Sequence, residues 1–390
     1  MQLKHLTDYQ LSGKRVMLRA DMNVPLKDGI IANEERIDRT LPTIEHILRE
    51  GGKLILLSHL GRPKETNEVQ EEFSLKPVVN YLEEKLSRKI YLKDHLDEVK
   101  ESNEEIIMLE NIRFFKGEKS NDPNLAEKLG SLCDILVMDA FATLHREHAS
   151  TAGVVNYVDH ACIGFLIKEE LEALELIDEV KRPILAVVGG AKISTKLSSI
   201  HALTEKVDYL LLGGGIANTC LGSQGIEIGS SLVESSKYPE AKQLVAKDNV
   251  LLPDRVVVAL NKESEPREVD ANSLTKEDCI FDVSPKYINS LGGLFSKAET
   301  IIWNGPIGLF EEDRFCAGTK AVAGLIAGSK AHSIIGGGDT ILAATKTGVL
   351  NSINYISTAG GAFLNYLGGE SLPVLLALEK KALESSDNGI

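Results

Sequence analysis

The chain has 390 residues, 43% hydrophobic and 26% charged, with a formal net charge of −14. That length suits two or three domains with a core that needs no staples, and the acidic balance argues against nucleic acid or an anionic membrane as the main partner. Five cysteines (Cys133, Cys162, Cys220, Cys279 and Cys316) lack CxxC spacing, which excludes a zinc ribbon and reads as reduced thiols of a cytoplasmic protein.

Short apolar, β-rich runs alternate with amphipathic stretches along the whole sequence. The spacing predicts strands at 15–18, 54–57, 106–109, 135–138, 184–188, 209–212, 256–260, 301–303, 332–335 and 355–357. Helices are expected between them, at 41–50, 75–86, 196–203, 239–246, 319–328 and 373–383. Continuous apolar strands alternating with helices imply α/β architecture with parallel sheets covered on both faces. Ten strands divide more naturally between two sheets than they gather in one. The segment 164–180 (GFLIKEELEALELIDEV) is a long helical pattern ended by Lys181-Arg182-Pro183, and reads as a connector between two α/β units. An ordinary crossover helix is the plainer alternative. The N-terminus lacks the apolar core of a signal peptide, and no apolar run approaches the ~20 residues that span a bilayer. The tail 385–390 is polar and expected to fray.

The first half places arginines beside or just after these strands: Arg19, Arg36, Arg62, Arg113 and Arg146. In an open parallel sheet, ligands bind outside the carboxyl ends of the strands. RADMNVP (19–25) offers a cation, a carboxylate and an amide within five residues. SHLGRP (58–63) offers His59 and Arg62, both able to bind carboxylate or phosphate. Arg113 in ENIRF (110–114) and Arg146 after Asp139 read, singly, as solvated or ion-paired residues. Four strand ends that each offer an arginine point instead to one multiply charged anion. His145 and His148 stand three apart, but no further ligand pattern supports a metal, and hydrogen bonding is the favoured reading.

The second half puts glycine turns where the first puts arginines. Val187 to Leu197 reads strand, Gly189-Gly190 turn, helix start, with Lys192 and Lys196 expected on one helix face near its positive end. Cations there call for a counter-charge such as a polyphosphate. Gly213-Gly214-Gly215 resembles a dinucleotide fingerprint only superficially, because Asn218 stands where its third glycine belongs. WNGPIGLFE (303–311) ends in Glu311, a carboxylate suited to ribose hydroxyls. GGGDT (336–340) reads as a phosphate-holding helix start, with Asp339 either near Mg²⁺ or a plain N-cap. A fourth turn is Gly360-Gly361. No Walker A loop and no HRD or DFG motif occurs.

Taken together, RADMNVP, SHLGRP, ENIRF, DAFATLHR, GGAK, GGGIANT, WNGPIGLFE and GGGDT resemble phosphoglycerate kinase in content and order, over essentially the whole chain. The resemblance implies reversible phosphoryl transfer between ATP and 3-phosphoglycerate in glycolysis and gluconeogenesis, by two Rossmann-like parallel-sheet domains joined by a hinge helix. It implies an acid-binding domain over 1–165, an interdomain helix over 166–181, a nucleotide domain over 182–370, and a segment 371–390 that returns to the first domain. Carried over by position, Asp21, Asn23, Arg36, His59, Arg62, Arg113 and Arg146 would bind the acid, with Arg36 and Lys192 acting on the transferring group. Lys196, Gly213, Glu311, Gly337, Gly338, Asp339 and Thr340 would bind the nucleotide, and Asp339 its Mg²⁺. The implied partners are small molecules; nothing in the sequence suggests an obligate oligomer, so a monomer is expected, and the cysteine pattern points to the cytoplasm. The family pattern DAFGTAHR is altered here at Ala142 and Leu144, and Glu147 follows Arg146, where it is expected to pair with that arginine in the absence of substrate. Ala359 replaces the first glycine of the last turn. A nicotinamide oxidoreductase would need a complete fingerprint, and a catalytically dead scaffold would need the loss of Lys192, Arg36 or Asp339. Neither condition is met.

Overall fold

The computed structural model describes residues 2–178, 181–357 and 361–387. The chain divides into two compact units, Met1–Glu172 with Ser371–Ile390, and Ala173–Glu370. The last two positions of the predicted connector, and Ala359 and Gly360 of the fourth glycine turn, lie outside the described residues.

The first unit is built on a six-stranded parallel sheet. Its strands are β1 (Arg15–Ala20), β2 (Lys53–Leu57), β3 (Tyr91–Lys93), β4 (Ile106–Leu109), β5 (Ile135–Asp139) and β6 (His160–Ile163). Their order is β3-β4-β2-β1-β5-β6. β4 and β5 are buried at every position, as expected where helices cover both faces. Helices α1 (Glu35–Asp38) and α2 (Leu41–Arg49) follow β1. β3 and β6 were not visible in the sequence: Tyr91-Leu92-Lys93 and His160-Ala161-Cys162-Ile163 are short edge runs that carry little apolar signal of their own. The C-terminal helix Pro373–Asp387 packs against β6, burying Val374, Leu375, Leu378 and Ala382, and its Val374 N–H donates to Leu144 O at 3.3 Å.

The long helix α3 (Phe165–Asp178) leaves β6 through Gly164. Gly164 has no side chain to cap it, so the helix start is satisfied from two other elements. Asp139, at the end of β5, accepts from Ile167 N at 3.0 Å, and Thr43 of α2 accepts from Phe165 N at 3.1 Å. Thr43 in turn donates to Asp139 at 2.6 Å. Burial pushes the Asp139 carboxyl up to about 6, with these hydrogen bonds pulling the other way. A Cβ on Gly164 would fall 2.3 Å from this carboxyl carbon.

The second unit repeats the plan. β7 (Ile184–Val188), β8 (Tyr209–Leu212), β9 (Val250–Leu251), β13 (Thr300–Asn304), β14 (His332–Gly336) and β15 (Tyr355–Ser357) form a parallel sheet in the order β9-β8-β7-β13-β14-β15. Helix α4 (Leu197–Thr204) begins after a short 3₁₀ turn that follows Gly189-Gly190, and α5 (Gly214–Ser223) and α6 (Gly338–Lys346) begin at glycine turns. The predicted strand 256–260 does not join this sheet. It is β10 (Arg255–Ala259), the centre of a separate antiparallel sheet with β11 (Arg267–Asp270) and β12 (Cys279–Val283). A run of three valines reads as a buried strand but carries nothing about its partner, and Leu260, assigned to the strand, is exposed. All five cysteines are free thiols. No helix among the described residues is long and apolar enough to cross a membrane.

Gly164→Ala should destabilise the protein by about 1–3 kcal/mol, because the new methyl meets the Asp139 carboxylate. In an Asp139→Ala background the same substitution should cost much less. The measurement is a double-mutant cycle by denaturant unfolding, and strictly additive effects would refute the clash.

Candidate active site

In both units the sequence motifs fall at the carboxyl ends of four adjacent strands. In the first these are β4, β2, β1 and β5; in the second, β8, β7, β13 and β14. The strand order reverses about β1 and about β7, which is where a parallel sheet opens a crevice for a ligand.

Ser58 joins the two central strand ends of the first unit. Its hydroxyl accepts from Met22 N at 2.9 Å and donates to Ala20 O at 3.0 Å. Asn23 continues the seam by accepting from Gly61 N at 2.8 Å. Gly61 has φ +61°, and a Cβ there would enter the Phe73 ring, so glycine is required. On this frame Arg36 Nη1 reaches Asp21 Oδ2 at 2.7 Å. Arg113, 8% exposed, donates to Gly61 O. His59, 3% exposed, stands between Arg19 Nη2 at 3.4 Å from Nδ1 and Arg146 Nη1 at 3.5 Å from Nε2. Arg62 is exposed and makes no hydrogen bond or ion pair among the described residues. The structure thus gathers Asp21, Asn23, Arg36, His59, Arg113 and Arg146, with Arg62 at the margin.

The charges of this cluster are not balanced internally. Burial, then the charges of Arg146, Arg19 and Arg62, lower the Arg113 guanidinium to about 10. Burial lowers Arg146 too, with Arg62 and Arg36 adding to the effect and Asp21 opposing it. Burial and four arginines push His59 well below its ordinary value, so its ring is neutral at pH 7. His145 and His148 are each lowered to about 4, by burial first and by Arg146 next. No metal-binding group of three or more His, Cys, Asp or Glu occurs among the described residues. Glu147 does not pair with Arg146; it is exposed, and Arg146 Nε donates to His145 at 3.3 Å. A flexible surface carboxylate gains little by ordering itself against a half-buried cation.

Sequence reasoning missed two members. Arg19 was noted at a strand end but left out of the ligand set; it is 1% exposed and donates through Nε to Ser150 Oγ at 3.1 Å. Glu118, also 1% exposed, accepts from Ser150 N at 2.9 Å and from its hydroxyl at 2.6 Å. It lies in Lys116-Gly117-Glu118-Lys119, which reads as a solvated charged turn, and nothing local distinguishes it.

In the second unit the glycine turns first accommodate one another. A Cβ on Gly189 would sit 1.9 Å from Pro306 O. Gly213 N–H donates to Val188 O at 3.0 Å and Gly214 N–H to Ile307 O at 2.9 Å, so both amides are spent inside the fold. Thr340 bridges two of these strand ends, accepting from Gly305 N and donating to Gly336 O, both at 2.7 Å. Gly337, with φ +97°, caps α6, and Gly338 and Asp339 open its first turn with Asp339 exposed. Asp339 is therefore not the N-cap. Glu311 is exposed at the end of the β13 turn, whose backbone is held by Lys346 Nζ donating to Phe310 O and Glu311 O at 2.9 Å.

Lys192 and Lys196 do not share a helix face. Lys192 is extended and exposed, a short 3₁₀ turn (Ile193–Thr195) follows, and Lys196 is the N-cap of α4. Lys196 is drawn inward, donating to Gly189 O at 2.8 Å and Asn304 Oδ1 at 2.7 Å. Burial lowers its ammonium to about 8, with Asp339 pulling the other way. Glu234 holds the 3₁₀ turn by accepting from Ser194 N at 2.8 Å and Ser194 Oγ at 2.6 Å.

Comparison with known proteins identifies the family. The family model described as phosphoglycerate kinase matches residues 6–370. The phosphoglycerate kinase structure from Coxiella burnetii is similar at 43% identity and a TM-score of 0.83, covering 98% of this chain and 100% of that one. That from Pyrococcus horikoshii OT3 is similar at 30% identity and a TM-score of 0.82, covering 97% and 99%. The chain belongs to the phosphoglycerate kinase family, whose activity is transfer of a phosphoryl group between ATP and the carboxyl group of 3-phosphoglycerate.

Proposed function

We propose that the two strand-end clusters divide this reaction between them, the acid binding in the first unit and the nucleotide in the second. The observation that carries the reading is the unbalanced charge of the first cluster. Arg146 is held close enough to lower Arg113, and Arg62 and Arg36 lower Arg146 in turn; a polyanion in their midst removes that repulsion. Asp21, Asn23, Arg36, His59, Arg62, Arg113 and Arg146 then hold 3-phosphoglycerate, with Asp21 and Asn23 suited to its hydroxyl group and the cations to its charged ends.

In the second unit Lys196 meets nucleotide phosphate, and the first turn of α6, with Gly337, Gly338 and Thr340, receives it at a helix N-terminus. Gly213 borders the base and Glu311 meets the ribose. Asp339 is in no ion pair among the described residues, and its exposed carboxylate is the residue that would hold Mg²⁺. The chemistry a bound Mg²⁺ would supply is neutralisation of phosphate charge. The substrate carboxylate attacks the terminal phosphorus in line; its oxygen–phosphorus bond forms as the bond to the ADP oxygen breaks. Arg36 and Lys192 neutralise charge on the group in flight. The protein is read as a cytoplasmic monomer.

Steady-state kinetics test the division of labour. Arg62→Ala should raise KM for the acid about tenfold or more and leave KM for ATP unchanged, since losing a hydrogen bond to a charged group costs about 1.5–3 kcal/mol. Lys192→Ala should lower kcat by about 10²–10³. Equal losses for both substrates in Arg62→Ala would overturn the assignment.

Lys196 gives a pH signature. Its folded value of about 8 lies below the ordinary 10.5, so between those values the folded state binds fewer protons than the unfolded one. This group therefore adds stability as pH rises through that window. Nucleotide phosphate restores the charge, so binding ADP at pH 8.5 should take up a fraction of a proton. Calorimetry in two buffers of different ionisation enthalpy measures it; no uptake, or release, counts against contact between Lys196 and phosphate.

In-line transfer needs the reacting atoms about 3–3.5 Å apart, so ligands carried by separate units require closure. Small-angle scattering should give a smaller radius of gyration with both ligands than with either alone. An unchanged radius would rule closure out.

A further inference from the structure

His59 is flanked by two guanidinium groups, and a neutral imidazole accepts from only one. It has one lone pair and one N–H, while a guanidinium only donates. Arg19 Nη2 faces Nδ1 at 3.4 Å and Arg146 Nη1 faces Nε2 at 3.5 Å, so one contact must set N–H against N–H.

The two arginines are held differently. Arg19 is fully enclosed, with Nε on Ser150 Oγ at 3.1 Å and Nη1 on Ala20 O at 2.6 Å, and its Nη2 cannot swing away. Ser150 is itself fixed. Its hydroxyl donates to Glu118 Oε1 at 2.6 Å and its N–H to Oε2 at 2.9 Å, which turns an oxygen lone pair toward Arg19. Ser150 and Glu118 are 0% and 1% exposed. Opposed N–H groups on this dry side would have no relief. Arg146 is only partly buried, so an anion can reach its side of the ring.

We propose that Glu118 and Ser150 are positioning residues which, through Arg19, fix His59 with Nδ1 as acceptor and Nε2 as donor. Nε2–H and the Arg146 guanidinium then present paired donors to one anionic group of the substrate. A carboxylate or phosphate group accepts from both and removes the opposition between them. This deepens the reading of the first unit as the acid site and rests on it. The tautomer itself is a property of the free protein.

Long-range proton–nitrogen correlation on full-length protein labelled at histidine reads the tautomer, with His59→Gln used only to assign the signal. The expected wild-type pattern is protonated Nε2 and bare Nδ1. Ser150→Ala and Glu118→Gln should shift it toward a mixture and raise KM for 3-phosphoglycerate about tenfold, with KM for ATP unchanged. Ser150→Thr, which keeps the hydroxyl, should restore both. If Ser150→Ala does not fold, the isosteric Glu118→Gln gives the same readouts. A wild-type ring protonated on Nδ1 overturns the proposal. So does an unchanged tautomer in the folded variants, even with raised KM, because the residues would then act only on the scaffold. Failure of wild-type protein to form ADP from ATP and 3-phosphoglycerate would strike the functional reading and leave the tautomer result standing.

Discussion

Like charges must be held together before any anion arrives, and the first unit is organised around that requirement. Arg146 lies near enough to lower both Arg19 and Arg113, Arg19 lowers Arg113 as well, and Glu118 and Asp21 oppose the repulsion. Isolated surface arginines would spread apart into water. Here Arg19, Arg113 and Arg36 cannot, because each is tied to a neighbouring side chain or to backbone. Arg19 is pinned by Ser150 and Ala20, Arg113 by Gly61, and Arg36 by Asp21. The parallel sheet supplies the stiffness: its hydrogen-bonded strands place four loop origins at fixed spacing on one edge.

The second unit meets a different constraint with the same topology. Its strand-end turns approach so closely that side chains are excluded, and Gly189, Gly213 and Gly305 give way to neighbouring turns before any ligand is considered. Close packing leaves Lys196 drawn in against carbonyl and amide oxygens, with its charge disfavoured by burial. One unit thus stores an excess of positive charge, and the other a lysine whose charge burial disfavours. In both, the arrangement of charge is set by the fold itself.

The helix start at Gly164 connects this edge chemistry to the chain that leaves the first unit. Asp139 ends β5, just before the segment that carries Arg146, and Thr43 lies on α2, just after the segment that carries Arg36. Both turn their side chains to the first turn of α3. The departing helix is therefore held by residues that adjoin the segments carrying Arg36 and Arg146.

Periodicity and local chemistry fixed much of this in advance. Continuous apolar runs located most strands, because a strand buried on both faces leaves a mark in its own residues, and the motifs then fell at strand ends by counting along the chain. Short edge strands such as Tyr91–Lys93 carry no such mark. Val256 to Val258 announce a strand but not its sheet, since that is set by the partners 267–269 and 280–283, which carry no comparable apolar run. The same limit applies to the site. Lys192 and Lys196 look equivalent in sequence, and only the intervening 3₁₀ turn and the approach of Asn304 separate an exposed cation from a buried one. Arg19, Ser150 and Glu118 lie up to 131 residues apart and meet only in the fold. A residue's type is written in the sequence; its burial, its partners and hence its charge are set by what the fold brings against it.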